Sequence, residues 1–347
     1  MKLAIVILAF NEEQSIGEVV QRIPAEIEGV DALDVFVVDD GSTDGTRDVA
    51  LRSGAQVLSH GRNKGLAPAF ATGIDAALMA GADVIVTIDG DGQHPPERIP
   101  FLLAPIARGE AEFVTATRFA SPEIVPDMPA IKKLGNRIVA KAVNLFTGEP
   151  LTDVSCGFRA YSREAALNLN LYGSYTYTHE SLVDLAHKGV RLAEVPISIE
   201  GVRRYGESRV VTSVWRYGWR TLAITLRAVR DRMPLQFFGS VGAILLVAGI
   251  ASELTVLVNW LLTGRTSPLQ SLTVVGAALA IIGTLSVLLA LMADMLGRQR
   301  RTLEALLYFE KRRYYDRGQR PLPGTPSRGG AGIGDAELPE ELPSRTG

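Results

Sequence analysis

One cysteine, Cys156, in 347 residues leaves no possibility of an internal disulfide, and the count fits a reducing compartment. Net charge is nearly absent too. The formal value of -2 excludes a nucleic-acid binder driven by bulk positive charge, so no nucleic-acid partner is expected. No G-x-G-x-x-G fingerprint follows the first apolar run, where Ala9-Phe10-Asn11-Glu12 stands instead, and there is no P-loop. These absences argue against a dinucleotide-dependent dehydrogenase and a P-loop nucleotidase. The opening run Leu3 to Phe10 lacks a small-residue cleavage site and leads into Asn11-Glu12-Glu13, so it reads as a first strand and not a signal peptide; export is not expected.

What the chain has in excess is apolar sequence, and the excess is concentrated. Hydrophobic residues make up 47%, with two long apolar stretches flanking a short polar break between Leu235 and Ala293. The first uncharged run, Met233 to Ser252, is about 20 residues, enough for roughly 30 Å of helix, and is expected to end near Glu253 and Asn259. The second, Thr266 to Ala293, is followed by Arg298, Arg300 and Arg301. Two transmembrane helices joined by a short loop follow from these lengths; a buried soluble hairpin is the alternative. Arginines before the first and after the second run outnumber the single Arg265 between them, which places both termini and the N-terminal domain in the cytoplasm. Ahead of the spans, Trp215, Tyr217 and Trp219 interleave with Arg216 and Arg220, as in a helix lying in the membrane interface; an ordinary surface helix is the alternative. The expected organisation is a domain over 1–208, the interfacial helix over 209–232 and the two-helix membrane region over 233–297. A basic juxtamembrane helix against the anionic leaflet follows over 298–318, then a Pro-, Gly- and Ser-rich disordered tail over 319–347.

Before residue 202, short β-rich runs alternate with helical patterns. Leu3 to Leu8, Asp34 to Val38, Ala55 to Leu58, Asp83 to Ile88 and Phe113 to Ala116 read as strands. Glu13 to Ile23, Asp44 to Arg52, Gly65 to Ala80, Pro95 to Ala107 and Lys132 to Phe146 read as helices. Such alternation predicts a parallel sheet covered by helices on both faces, with ligands gathered at the carboxyl ends of the strands.

The polar motifs sit at those ends. Asp89-Gly90-Asp91-Gly92-Gln93 follows the run Val84 to Ile88 and presents two carboxylates and an amide on a glycine-rich backbone, a set suited to a hard divalent cation against a diphosphate. Alone, such a motif is weak, since acidic loops are common and most are solvated turns. Asp39-Asp40-Gly41-Ser42 ends the second strand, and Thr43 or Asp44 caps the next helix. Two consecutive acids exceed what the turn needs, and carboxylates here can accept hydrogen bonds from a nucleobase imide or ribose hydroxyls.

Together, Phe10-Asn11-Glu12-Glu13, Val38-Asp39-Asp40-Gly41-Ser42-Thr43-Asp44-Gly45-Thr46, Asn63-Lys64-Gly65, Asp89 to Glu97, Thr117-Arg118-Phe119 and Ser155-Cys156-Gly157-Phe158-Arg159 resemble glycosyltransferase family 2. More narrowly, the chain resembles the dolichyl- or polyprenyl-phosphate hexose synthases, over Met1 to Ala293 in order, and the run Arg203 to Ser208 adds specificity. The resemblance implies an α/β fold, a GT-A (Rossmann-like nucleotide-diphospho-sugar transferase) domain followed by two transmembrane helices. It implies that Ala9, Glu12, Asp39 and Asp40 hold the nucleoside, that Asp89, Asp91 and Gln93 hold Mg²⁺ or Mn²⁺ beneath the donor diphosphate, and that Arg118 and Arg203 face phosphates. The implied reaction is inverting transfer of a hexose from a nucleotide-sugar, of GDP-mannose or UDP-glucose type, to a polyprenyl or dolichyl phosphate at the cytoplasmic face of the bilayer. A homo-oligomer is compatible with it. Leu8 and Phe10 replace the family's frequent Pro and Tyr, and Arg209 its frequent Lys, which leaves the geometry at Arg209 open because a guanidinium is a fork and an ammonium a point charge.

The chemistry is consistent with this reaction independently. A lipid phosphate with a second pKa of about 6 is already a nucleophile at neutral pH, so a strong protein base is optional, whereas gathering two anions is compulsory. Arg118, Lys132, Lys133, Arg137, Arg203, Arg204 and Arg209 are candidates for holding the acceptor phosphate, with a solvated surface charge as the alternative for each. His94 precedes Pro95-Pro96 and reads as structural or supporting; Glu180 positions substrate or makes an ion pair; Cys156 reads as a packed residue, with no base near it in any motif. The competing readings are a family 2 transferase acting on a lipid-linked sugar or polysaccharide, and a membrane-anchored binding protein without activity. Processive synthases carry a Q-x-x-R-W signature that does not occur here.

Overall fold

The computed structural model describes residues 1–126, 130–170, 177–200 and 234–318. The stretch 209–232, the tail 319–347, and Arg203, Arg204 and Arg209 lie outside the described residues.

The first strand, β1 (Lys2–Ala9), is a nearly unbroken apolar run because it is covered on both faces. Side chains alternate across it: Ala4, Val6 and Leu8 enter one core, Leu3, Ile5, Ile7 and Ala9 the other. With β2 (Ala32–Asp39), β3 (Gln56–Ser59), β4 (Val84–Asp89), β5 (Phe113–Thr117), β6 (Arg159–Ser162) and β7 (Leu192–Pro196), it forms one sheet of order β3-β2-β1-β4-β6-β5-β7. One face carries α1 (Ile16–Gln21), α2 (Thr46–Arg52) and α4 (Ile99–Ala107); the other carries α3 (Leu66–Met79), α5 (Ala130–Thr147), α6 (Arg163–Asn168) and α7 (Tyr177–His187).

The sheet is mixed, which corrects the wholly parallel expectation: β6 runs antiparallel between β4 and β5. Its four residues, Arg-Ala-Tyr-Ser, carry neither an apolar run nor a clean alternation, because Arg159 is buried through hydrogen bonds and not by apolarity. The first helix begins at Ile16, not Glu13, since the Glu12 carbonyl accepts the Ser15 and Ile16 amides and the Glu13 carboxylate is drawn off to accept the Gly45 amide at 3.0 Å. At Pro96 the chain makes one 3-10 turn before α4 starts at Ile99.

Beyond the sheet, α8 (Pro234–Thr263) and α9 (Gln270–Gly318) form a hairpin. Both contain stretches apolar and long enough to cross a membrane, and only 17% of each apolar window is buried, unlike the core helix of a soluble protein. Ile244, Leu262, Val274 and Ile281 stand exposed on it. The first helix does not end near Glu253 and Asn259 as expected but runs through both. Glu253 is turned toward the partner helix, where Gly276 leaves room for its Oε1, and Asn259 closes the connecting loop by donating to the Arg265 carbonyl at 2.8 Å.

The 49 residues of α9 make about 74 Å of continuous helix, far more than a bilayer needs. Its basic end packs on helices of the N-terminal domain. Lys311 Nζ donates to the Leu169 carbonyl (2.6 Å) and Asn170 Oδ1 (3.1 Å), Tyr315 donates to Asp75 (2.7 Å), and Arg163 pairs with Asp316 at 3.1 Å. Tyr315 is buried in the same core as Phe70 and Leu78. Truncating it in Tyr315→Ala removes this packing and a hydrogen bond, about 3 kcal/mol. Amide exchange across 305–318 is expected to accelerate by about a hundredfold, with β1 and β4 unchanged; equal protection in the variant would show that this end is not held by the contact.

Candidate active site

The β1 register brings the two acidic motifs together. Ala9 pairs with Asp39 on one side, and Leu8 with Asp89 on the other. Between them, Glu12 is buried, its amide donates to Thr46 Oγ1 at 2.8 Å, and Ser15 Oγ donates to the Gly90 carbonyl at 2.7 Å, tying the first loop to the Asp89 loop. Nothing in the sequence motifs singled out Ser15.

The turn and its surroundings use both acids at the end of β2. Asp39 accepts the Ser42 amide (2.9 Å) and the Ser59 hydroxyl (3.2 Å). Asp40 accepts the His60 Nδ1–H (2.7 Å) and the amides of Lys64 (2.9 Å) and Gly65 (2.8 Å), so its carboxylate organises the loop after β3. That loop lies so close that a Cβ on Gly41, whose φ is +74°, would fall 2.4 Å from the Arg62 backbone. His60, also against Thr72 Oγ1 at 3.0 Å, is a residue that sequence reasoning missed, because its partner is 20 residues away.

Asp89, Gln93, His94, Arg118, Ser155, Gly157 and Glu200 line a pocket of about 100 Å³ at the sheet's carboxyl edge. Asp89 keeps 33% of its side chain exposed there. Asp91 is buried at 6%, its Oδ1 accepting the Gln93 amide at 3.0 Å. Gln93 is clasped from both ends, Nε2 donating to the Glu200 carbonyl (2.9 Å) and its own carbonyl accepting the Glu200 amide (3.1 Å). Among the described residues no three His, Cys, Asp or Glu side chains converge on one point. An all-protein cage is therefore absent from them, and the set fits the other way such an ion is held: one or two carboxylate oxygens, with a diphosphate and waters completing an all-oxygen shell. Asp89 and Gln93 line the pocket where such a shell would form, and Asp91 is buried beside them.

Arg118 is held across the pocket. Nε and Nη2 grip Asp153 at 2.6 and 3.0 Å, and Nη2 also donates to Ser155 Oγ at 2.8 Å; among the described residues Nη1 makes no hydrogen bond. Burial works against both charges, yet the hydrogen bonds and mutual attraction win, raising the Arg118 pKa and lowering that of Asp153. Asn136 of α5 accepts from Ser155 Oγ (3.1 Å) and donates to the Thr152 carbonyl (3.0 Å), while Glu194 of β7 accepts the Thr152 and Asp153 amides, both at 2.9 Å. Burial pushes the Glu194 carboxyl up, although these donors oppose it. Arg137 stands exposed on α5 beside Asn136.

Residues 4–169 match the family described as Glycosyl transferase family 2. Undecaprenyl-phosphate mannosyltransferase of Micrococcus luteus is 31% identical over 252 residues, 68% of this chain and 100% of that protein. The chain belongs to glycosyltransferase family 2. The transferase is also 30% identical over 213 residues to UDP-N-acetylglucosamine–dolichyl-phosphate N-acetylglucosaminyltransferase of Methanococcus voltae, covering 56% of this chain and 83% of that one. Glucosyl-3-phosphoglycerate synthase from Mycobacterium tuberculosis, solved with Mn²⁺, UDP and phosphoglyceric acid, superposes with a TM-score of 0.52 at 25% identity, over 65% of this chain and 78% of that chain. These likenesses bear out the GT-A fold.

Behind the transferase's pocket, Arg159 is fully buried and serves as a four-way hub. It donates to the carbonyls of Cys156 (2.7 Å), Thr178 (2.6 Å) and Val154 (3.1 Å) and to Ser181 Oγ (2.9 Å), fastening α7 to the Ser155–Phe158 turn. Cys156 does have a histidine near it in space, His94 Nε2 at 4.0 Å, but the thiol is buried and desolvation pushes it up to about 12, which keeps it a packed, protonated group. His94 stacks beside Phe158 and accepts the Asp89 amide at 3.4 Å, a supporting role for the loop. Burial, then the nearby Arg159 charge, pushes His179 down to about 4, so it is neutral at physiological pH.

Proposed function

We propose that the transferase moves a hexosyl group from a nucleotide-sugar, of GDP-mannose or UDP-glucose type, to a polyprenyl or dolichyl phosphate at the cytoplasmic face of a bilayer, with inversion. The observation that carries this reading is the pairing of a half-open carboxylate, Asp89, with the held guanidinium of Arg118 in one pocket, on a chain bearing two exposed apolar helices. Relatives named for undecaprenyl- and dolichyl-phosphate transfer support the acceptor class. In this reading α8 and α9 span the membrane with both termini cytoplasmic.

Ala9, Glu12 and Asp39 line the nucleoside end, with Asp40 shaping the loop beside it; Asp89, Asp91 and Gln93 face the donor diphosphate. Mg²⁺ or Mn²⁺ bound there would neutralise the diphosphate and stabilise it as leaving group. Arg118 offers Nη1 to a phosphate while Asp153 and Ser155 fix its plane, so no reorganisation is needed as charge shifts. Arg137, Arg203 and Arg209 attract the acceptor phosphate, whose own oxygen attacks the anomeric carbon as the nucleoside diphosphate departs.

Membranes containing the full chain, given a polyprenyl phosphate and labelled GDP-mannose, UDP-glucose or UDP-N-acetylglucosamine in turn, are expected to yield an acid-labile, lipid-soluble product with a β linkage by NMR. EDTA should abolish it and added Mg²⁺ or Mn²⁺ restore it. Full activity in excess chelator, or indifference to the isoprenoid phosphate, would overturn the reading.

A further inference from the structure

Tyr177, the first residue of α7, has a fully buried side chain whose ring stacks on Phe70 with centroids 4.1 Å apart and planes 16° apart. The stacking accounts for the ring, not for the hydroxyl: the Tyr177 Oη is sealed from solvent and, among the described residues, has no hydrogen-bond partner. A buried hydroxyl left unpaired is destabilising, a penalty that a phenylalanine at the same place would not incur.

Gly157 locates what that hydroxyl faces. A Cβ built on Gly157 would sit 3.0 Å from Tyr177 Oη and 3.1 and 3.3 Å from the two carboxylate oxygens of Asp89. The phenol and the carboxylate thus flank one bare backbone carbon. Asp89 and Gly157 line the pocket, while the phenol is sealed away behind them on the far side of the Gly157 backbone. Arg159 keeps these parts in register, binding the carbonyls next to each, Cys156 before Gly157 and Thr178 after Tyr177.

We propose, resting on the reading that Asp89 takes part in holding a divalent cation, that Tyr177 is a positioning residue for Asp89: on loading of the site its hydroxyl donates to one Asp89 oxygen and leaves the other to the cation. A neutral phenol is a donor at physiological pH, and a carboxylate fixed from behind in this way loses its rotational freedom. Gly157 is part of the device, since a Cβ there would press on both groups at 3.0 and 3.1 Å.

Tyr177→Phe keeps the ring and its stacking on Phe70 and deletes only the hydroxyl. Full-length protein in detergent is titrated with Mn²⁺, alone and with UDP or GDP added, and free Mn²⁺ is read by electron paramagnetic resonance. The variant is expected to keep or exceed the wild-type Tm, to bind Mn²⁺ about tenfold more weakly, and to need correspondingly more Mn²⁺ for half-maximal transfer; Gly157→Ala is expected to weaken Mn²⁺ binding in the same direction. Wild-type protein that binds Mn²⁺ while Tyr177→Phe matches it within twofold would overturn the role of Tyr177 alone. Wild-type protein that transfers sugar yet binds no Mn²⁺ under any of the three conditions would overturn the cation reading beneath it.

Discussion

Asp89→Ala is expected to lower kcat/KM for sugar transfer by about a thousandfold, the scale set by removing a group proposed to stabilise charge developing on the leaving diphosphate. The side chain is half-open, so truncating it leaves no packed void, and the thermal midpoint should stay within a degree or two of wild type. The informative comparison is Asp40→Ala. That carboxylate accepts His60 and two amides, so its loss leaves donors unpaired and should lower stability as well as activity. The check is a transfer assay on membranes beside a melting curve for each variant. Near-normal turnover in Asp89→Ala would show that the reacting diphosphate is held elsewhere.

The largest effect on stability is expected at Arg159. Replacing it by Met preserves most of the volume but strips the carbonyls of Val154, Cys156 and Thr178 of their donor in a site without water access. At about 1–3 kcal/mol for each unsatisfied acceptor, partly relieved by relaxation, the loss is about 3–5 kcal/mol. The catalytic unit should then melt about 10 °C lower or more. Lys restores the charge without the planar fork and should rescue little of it. Melting followed by tryptophan-independent circular dichroism reports this; a variant within a degree of wild type would mean that other groups carry the α7 anchorage.

The fold was legible wherever burial on both faces forced a continuous apolar run. β1, β2 and β4 are such strands, and the expected bounds missed each end by two residues or fewer. β6 was not legible, since a strand of Arg, Ala, Tyr and Ser is satisfied by long-range hydrogen bonds that leave no local pattern. The same contrast holds at the site. Asp89 announces itself by ending the apolar strand β4 just before Gly90-Asp91-Gly92, and Arg118 by following β5. Their keepers, Asp153, Glu194, Asn136 and Tyr177, sit on other elements and become neighbours only through the fold. The two acids of β2 show the converse. They looked like more carboxylate than a turn could use, and the loop after β3, invisible as a partner in one dimension, takes up much of Asp40.

Because α9 passes without a break from its apolar stretch to Lys311 and Tyr315, seated on the helices behind the sheet, it works as a lever. In the proposed membrane-spanning reading, a tilt of the hairpin would be carried to the sheet domain as rotation, since α9 is unbroken between the two.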